Sequence, residues 1–431
     1  MAPAYNENVR EVEAASHATK DSTILSSVLH GIQDVRLEVH NIAEPLVGEL
    51  QVQIKSTGIC GSDVSYYKKF ANGDLCACAP LSLGHEASGV VVGIGPQVNG
   101  FSIGDRVALE VGISCGQCDI CRKGRYNLCK KMRFRSSAKS VPHFQGTLQE
   151  RINHPAVWCH KLPDHISFDA AALLEPLSVA IHSLNRAAPT PGSTAVVIGA
   201  GTVGLLVAAM ARQSGCPIVT ITDISANRVQ YALEHGFATH GYVIPACSTN
   251  STAPSTNPSS GTSTPSMSSG TTTPLSSYTS ISDHLNFAKS SAGDILSTTS
   301  EEDILGEADH EGADITFECT GKEICMQTAI YSTKPGGKVI MVGMGTPIQT
   351  LPLSAAHLRE VDILGVFRYA NTYPIGIRML GASGRKGGLP SLDHMVTHRF
   401  SGLGNAKDAF ELAGKTVDEQ GNLVLKVVIE V

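Results

Sequence analysis

The 431-residue chain has no long basic run, and its formal net charge is −6. That balance argues against a nucleic acid as partner. Its first twenty residues, MAPAYNENVREVEAASHATK, lack a basic start followed by an apolar block, so no secretory leader is expected there. The extended apolar run at 195–211 is broken by Gly199, Gly201 and Gly204, so no membrane-spanning helix is expected. Twelve cysteines in a chain without a leader point to metal ligands and free thiols in a reducing, cytoplasmic setting, not to disulfides. What remains is an ordinary soluble composition, 42% hydrophobic and 17% charged, with length for two or three domains.

The most informative string is CGQCDICRKGRYNLC, which places Cys115, Cys118, Cys121 and Cys129 within fifteen residues. Four thiolates this close can surround one tetrahedral Zn²⁺ in a closed structural site. A disulfide cluster is the alternative. A closed four-thiolate site does no chemistry, so the chemistry lies elsewhere. Cys76, Cys78, Cys159, Cys216, Cys247, Cys319 and Cys325 read as buried filler or loop residues.

Patterning divides the chain. Residues 1–22 read as a flexible polar tail, and 23–178 as an irregular β-domain with a metal lobe at 112–132. Residues 179–350 alternate strand and helix, which implies a parallel sheet. Within them the stretch 248–310 opens as almost pure Ser, Thr, Pro, Asn and Gly and is expected to be a disordered insertion. Thr264-Pro265 and Thr273-Pro274 could accept phosphate, although a tolerated spacer is the plainer reading; Asn250-Ser251-Thr252 matches a glycosylation acceptor that a chain without a leader would not use. Residues 351–431 form a closing segment whose tail, LVLKVVIEV, is expected to rejoin the first β-domain as a strand.

Gly199-Ala200-Gly201-Thr202-Val203-Gly204 is a G-x-G-x-x-G turn between the strand AVVI and a helix. In that context it reads as a dinucleotide site: Gly199 for the tight turn, Gly201 for approach to the pyrophosphate, Gly204 for helix–strand packing. Asp223 ends the next strand, where a carboxylate accepts the ribose hydroxyls and repels a 2′-phosphate, favouring NAD over NADP. Arg228 could flank the adenosine or be a solvated helix residue.

Cys60 in GICGSDVSYY, His85-Glu86 in GHEASG and Glu175 in LEPLSV supply one thiolate, one imidazole and two carboxylates. A catalytic zinc takes about three protein ligands and keeps one position open. These strings, with the four-cysteine loop, GAGTVG, REVDI, GVFRY, NTYP and VTHRF, resemble the zinc-dependent medium-chain dehydrogenases. Within them the sequence is most similar to the polyol branch of sorbitol, xylitol and arabinitol dehydrogenases, over about 25–245 and 312–431.

That resemblance implies an α/β protein: a GroES-like β-rich catalytic domain plus a doubly wound Rossmann nucleotide-binding domain. It implies two zinc ions per chain and a catalytic one held by Cys60, His85 and Glu86, with Glu175 near the zinc-bound water or binding directly. Either carboxylate is open as third ligand. It also implies polyol contacts from Tyr66, Phe134, Glu175, Arg368 and Tyr369. The cofactor would be lined by Val203, Asp223, Arg228, Val342, Gly343, Met344, Val366, Phe367 and Arg368.

Zinc lowers the pKa of a bound alcohol, and the alkoxide releases hydride to the nicotinamide. By resemblance Ser62 takes the alcohol proton. Relatives commonly carry His where this chain has Ser65, and serine is no base near neutral pH, so relay through Ser65 and water or through the ribose hydroxyls is expected. Val111 replaces a proline usual in polyol relatives. The expected activity is NAD-dependent oxidation of a sugar alcohol to a ketose by a homo-oligomer, with tetramers common in the family. An alcohol or threonine-type dehydrogenase is the rival, and a non-catalytic binding protein the remote one.

Overall fold

The computed structural model describes residues 22–245, 280–298, 311–385 and 387–431. The sequence separates into two large sheets, with three smaller ones of two or three strands beside them, because its apolar residues follow two rules. Around Glu49–Gly58 and Glu86–Ile94 they mix with polar ones, and these strands pair antiparallel. In Ala195–Ile198 they run continuously, and in Val219–Asp223 they alternate with threonines that are buried as well; these strands pair in parallel with both faces covered.

The first sheet has seven strands. Its path runs Cys159–Lys161, Arg106–Leu109, Glu86–Ile94, Glu49–Gly58, Lys426–Glu430 and Val396–Ser401, with Arg151–Pro155 also pairing on Glu49–Gly58. Leu50, Val52, Ile54, Val91, Val107 and Leu109 form its core at 0% exposure. Burying each such side chain contributes roughly 1.5–3 kcal/mol. The C-terminal strand lies antiparallel beside Glu49–Gly58, with Val428 opposite Gly58 and Glu430 opposite Ser56. Helix Gly61–Lys69 follows Cys60 directly.

The second sheet is six parallel strands in the order His240–Val243, Val219–Asp223, Ala195–Ile198, Ala313–Glu318, Thr333–Met341, Asp362–Gly365. In chain sequence that is 3-2-1-4-5-6, the doubly wound order, so its ligand crevice falls where Ile198 and Glu318 end neighbouring strands. The expected fold class is therefore present in both halves. Helix Leu174–Ala187 links them, packing on Thr202–Gln213 and on Tyr373–Gly381.

Two expectations about boundaries need correction. Strand Asp362–Gly365 extends the parallel sheet beyond residue 350, because Ile363 and Leu364 pair with Val339 and Ile340. Residues 281–297, inside the stretch expected to be disordered, form a helix. Ser280 and Asp283 close a capping box at its start, and Ala288, Ala292 and Ile295 are buried against the body. The Ser/Thr composition that suggested disorder stops before this apolar stripe. The N-terminal tail, Thr264, Thr273 and Asn250 lie outside the described residues. Among the described residues no helix is long and apolar enough to cross a membrane.

Candidate active site and nucleotide crevice

The first constellation is assembled by strand pairing. Gly58 lies opposite Glu86 across the antiparallel pair, and a Cβ on Gly58 would come within 2.3 Å of Glu86 Oε2. Glycine there makes room for the carboxylate. Two residues on, Cys60 N-caps the helix that carries Ser62 and Asp63. Cys60, His85 and Glu86 thus offer three ligand atoms all within 4.8 Å of one another. Glu175, in the first turn of helix Leu174–Ala187, is buried nearby but outside that set.

His85 is 5% exposed. Its Nδ1 lies 3.2 Å from Asp63 Oδ1 and its Nε2 3.4 Å from Ser62 Oγ. Asp63 is itself fixed: its Oδ1 accepts from Ser136 Oγ at 2.7 Å and from the Gly84 N–H, and its Oδ2 from the Cys60 N–H. A carboxylate on Nδ1 leaves Nε2 to face a metal, which is the usual support for a metal-binding imidazole. Burial disfavours the imidazolium, yet Asp63 and Cys60 outweigh it and hold the His85 pKa well above its ordinary value. Soft thiolate, imidazole and carboxylate together form a donor set that fits a zinc ion.

Lys426 was not singled out from sequence. It is 3% exposed and donates to both Glu86 oxygens, at 2.6 and 2.9 Å, and to the Ile59 carbonyl. A lysine in the apolar string LVLKVVIEV was the available signal, since a fully buried cation needs a partner. Asp63, inside GICGSDV, was passed over in the same way.

Of the expected substrate residues, Phe134, Glu175, Arg368 and Tyr369 form a wall beside this cluster and Tyr66 does not. The Arg368 guanidinium lies 3.6 Å from the Phe134 ring centroid, and the Phe134 ring is 5.5 Å from that of His85. Arg368 adopts a left-handed backbone, φ 52°. The Tyr369 hydroxyl is buried without a hydrogen-bond partner among the described residues. Burial, with repulsion from Glu86, pushes Glu175 up to about 7, against the pull of His85, Lys426 and Arg368. Tyr66 sits deeper, 2% exposed in the Leu29–Phe410 core cluster, with its hydroxyl accepting from the Ala138 N–H.

The four-cysteine lobe is compact. Cys118 and Cys121 Sγ are 3.4 Å apart, Cys115 and Cys129 Sγ 3.5 Å, and all four fall within 4.8 Å. Backbone N–H groups, that of Gln117 first, lower the Cys115 pKa to about 6. Four converging sulfurs fit a tetrahedral thiolate site. The lobe docks onto the Arg368 loop: Asn127 Nδ2 donates to the Phe367 carbonyl at 2.8 Å, and Asn371 Nδ2 to that of Gly124 at 2.7 Å.

At the crevice of the parallel sheet, a Cβ on Gly204 would sit 1.8 Å from the Gly199 carbonyl, so only glycine lets the helix approach its strand. Gly201 is open on that side, its nearest neighbour being Arg228 Nη1 at 4.0 Å. A cavity of about 320 Å³ opens there, walled by Gly199, Gly201, Asp223, Arg228, Phe287 and Lys322. Asp223 takes N–H bonds from Ala200 and Ser225. Arg228 Nη2 donates to the Val424 carbonyl, which ties this crevice to the C-terminal segment, while its buried Nε has no partner among the described residues. The glycine turn, strand-end carboxylate and open cavity fit a dinucleotide. Val203 lies in the first turn of helix Thr202–Gln213. Gly343 packs on the Thr320–Gly321 backbone across the crevice, with Val342 half-buried beside it. Met344 and Phe367 are 67% and 47% exposed, and Val366 is half-buried. Phe287, Ser291 and Lys322 were not foreseen, because the first two lie in the stretch expected to be disordered.

Comparison with known proteins agrees with both halves. Residues 47–164 match the family described as alcohol dehydrogenase GroES-like domain, and 278–382 that described as zinc-binding dehydrogenase. A sorbitol dehydrogenase from Gallus gallus is 37% identical over 387 residues, 90% of this chain and 92% of the relative. One from Arabidopsis thaliana is 34% identical over 389 residues, 88% and 89% of the two chains. The solved L-idonate 5-dehydrogenase from Escherichia coli shares the fold with a TM-score of 0.73 at 22% identity, covering 96% of this chain and 99% of that one. Taken with the ligand cluster and the doubly wound crevice, these matches show that the chain belongs to the zinc-dependent medium-chain dehydrogenases, oxidoreductases of the sorbitol dehydrogenase-like branch.

Proposed function

We propose that this protein oxidises a secondary hydroxyl of a sugar alcohol of the sorbitol, xylitol or L-arabinitol type to a ketose, with NAD as acceptor. The observation that carries the reading is the polar wall beside Cys60, His85 and Glu86: buried Glu175, half-buried Arg368 and the unpartnered Tyr369 hydroxyl. Buried polar groups without partners disfavour an apolar ligand and reward one that brings hydroxyls.

Metal held by Cys60, His85 and Glu86 supplies Lewis acidity to the substrate hydroxyl, and a nicotinamide in the crevice supplies the hydride acceptor. The chain's own residues do the rest. Asp63 orients His85 through Nδ1. Ser62 Oγ, beside His85 Nε2, receives the alcohol proton and passes it outward through half-buried Ser65 and water. Glu175, Arg368 and Tyr369 hold the neighbouring hydroxyls, and Phe134 supports Arg368 through its ring face. Asp223 favours a free ribose 2′-hydroxyl over a 2′-phosphate. Cys115, Cys118, Cys121 and Cys129 hold a second, structural zinc. A cytoplasmic homotetramer completes the reading.

The test is cofactor reduction, followed by absorbance, on a panel of sorbitol, xylitol, L-arabinitol, ribitol, ethanol and threonine, with NAD and NADP in parallel. Turnover of one polyol with NAD is expected. A preference for ethanol or threonine would overturn the pocket assignment and leave the metal cluster in place.

A further inference from the structure

Asp63 and Arg368 belong to different sides of the site, one behind His85 and the other in the substrate wall. One short segment serves both. Phe134 closes the strand Arg133–Phe134, opposite Gly112, and its ring centroid lies 3.6 Å from the Arg368 guanidinium. Two residues on, Ser136 Oγ donates to Asp63 Oδ1 at 2.7 Å. Ser136 is 5% exposed and holds a left-handed backbone, φ 60°. A residue with a Cβ stays in that region only where its surroundings impose it.

Arg135 stands between the two and supplies the anchor. It is 4% exposed. Its Nε donates to His154 Nδ1 at 3.1 Å, Nη1 to the Gln145 carbonyl at 3.0 Å and Nη2 to the Asn153 carbonyl at 2.5 Å. His154 Nε2 lies 3.1 Å from the Glu110 carbonyl, which only accepts, so that nitrogen carries the proton and Nδ1 is left as an acceptor. The guanidinium also lies 4.5 Å from the Phe144 ring centroid, and the Phe144 carbonyl accepts from the Ser136 N–H at 2.9 Å. Burial pulls Arg135 down to about 10, which leaves it charged at neutral pH. Among the described residues no carboxylate pairs with it. A buried cation without a counter-ion is costly. What its planar fork provides is direction, since three fixed acceptors meet three donors in one plane.

We infer that Arg135 is a positioning residue for both sides of the site: its fork fixes the backbone at 134–136, so that Ser136 holds Asp63 on His85 and Phe134 backs Arg368. This role rests on the catalytic metal and polyol pocket proposed for the protein. Without the fork the turn is free to relax. The Ser136 hydroxyl then leaves Asp63, and His85 loses part of what aims it at the metal. The Phe134 ring shifts under Arg368, and the polyol loses a well-placed partner.

The experiment uses the full-length, zinc-loaded protein. Zinc release to a chromogenic chelator is followed in time, and the phase owed to Cys60, His85 and Glu86 is the one absent from Cys60→Ser. Arg135→Lys keeps the charge but cannot present three donors in one plane. It should speed that phase and raise the polyol KM, each about three- to tenfold, and leave the four-cysteine phase unchanged. Ser136→Ala should reproduce the zinc effect and raise KM less than Arg135→Lys does. An Arg135→Lys protein that releases both zinc phases faster would show general loosening and overturn the assignment, as would one with unchanged release and KM. So would a Ser136→Ala protein that releases zinc at the unsubstituted rate, even where Arg135→Lys fails to fold. An unsubstituted protein with no phase dependent on Cys60 would overturn the catalytic metal itself, and the role of Arg135 with it.

Discussion

The two metal-ligand clusters of this protein are built in opposite ways. Cys115, Cys118, Cys121 and Cys129 come from fifteen consecutive residues, and their loop needs only short-range hydrogen bonds to converge. Cys60, His85 and Glu86 come from two segments that meet only because Glu49–Gly58 pairs with Glu86–Ile94. Their supports come from further away still, with Ser136 behind Asp63 and Lys426 on Glu86. The first cluster is a local fold within the fold. The second exists only when the seven-stranded sheet is complete, so its geometry depends on the fold, although the fold does not depend on the metal it holds.

The largest expected effect separates the two clusters by single substitutions. Cys60→Ser should lower polyol turnover by about 10²–10⁴-fold, the equivalent of the several kcal/mol a Lewis acid contributes. It should remove the metal of that cluster and leave the melting temperature nearly unchanged. Cys121→Ser should also remove one ion, but mainly lower the melting temperature, by about 5–10 °C, because a structural site contributes folding energy. Its catalytic cost should be a several-fold higher polyol KM, since Asn127 and Gly124 hold the Arg368 loop. Zinc by atomic absorption, calorimetry and initial rates read the three quantities. A Cys60→Ser protein that melts as early as the Cys121→Ser protein would break the distinction.

The same contrast explains what the sequence disclosed. The four-cysteine loop and the glycine turn are legible because their chemistry is local and spacing alone encodes it. The parallel sheet follows from alternating strands and helices, while its doubly wound order was implied by the family resemblance. Cys60, His85 and Glu175 stood out only in combination, through strings shared with a known family. Asp63 and Lys426 were passed over because a buried polar residue declares its role only through a partner distant in sequence, here 22 and 340 residues away. Helix Ile281–Ser297 was missed because low-complexity sequence runs up to its cap, so the apolar stripe was read with its flank.

The next effect tests the coupling between catalytic cluster and sheet. Lys426→Met keeps the volume of the side chain but removes the charge facing Glu86, leaving a carboxylate that is 1% exposed unpaired. Removing one partner of a buried ion pair costs about 3–5 kcal/mol. Urea unfolding of the metal-free protein, in which no bound cation stands in for the lost ammonium at Glu86, should show a loss of that size, with cooperativity retained. A loss below about 1 kcal/mol, the range of an exposed pair, would mean that Glu86 draws its stabilisation from elsewhere.

The smallest effect lies at a local cluster of another kind, in the turn before the closing strand. Asp418 Oδ1 accepts from the N–H groups of Asn422 and Gln420 at 2.7 and 2.9 Å, and Oδ2 from Asn422 Nδ2 at 2.8 Å. His398 Nε2 lies 3.3 Å from the same Oδ2. The Asn422 side chain, with the neighbouring N–H groups and His398, holds the carboxyl at about 2, below its ordinary 3.8. A depressed carboxylate adds stability above its unfolded pKa, and that stability is lost as pH falls through the folded value. The window therefore runs from about 3.8 down to about 2. Asp418→Asn removes the charge and keeps one acceptor oxygen. Its melting temperature should fall slightly below that of the unsubstituted protein at pH 6, and the gap should narrow as pH is lowered through 3.8. A gap constant across that range would show that the turn is held by its hydrogen bonds and not by its charge. The C-terminal strand would then owe its placement to the Lys426–Glu86 pair and the core around Val428 alone.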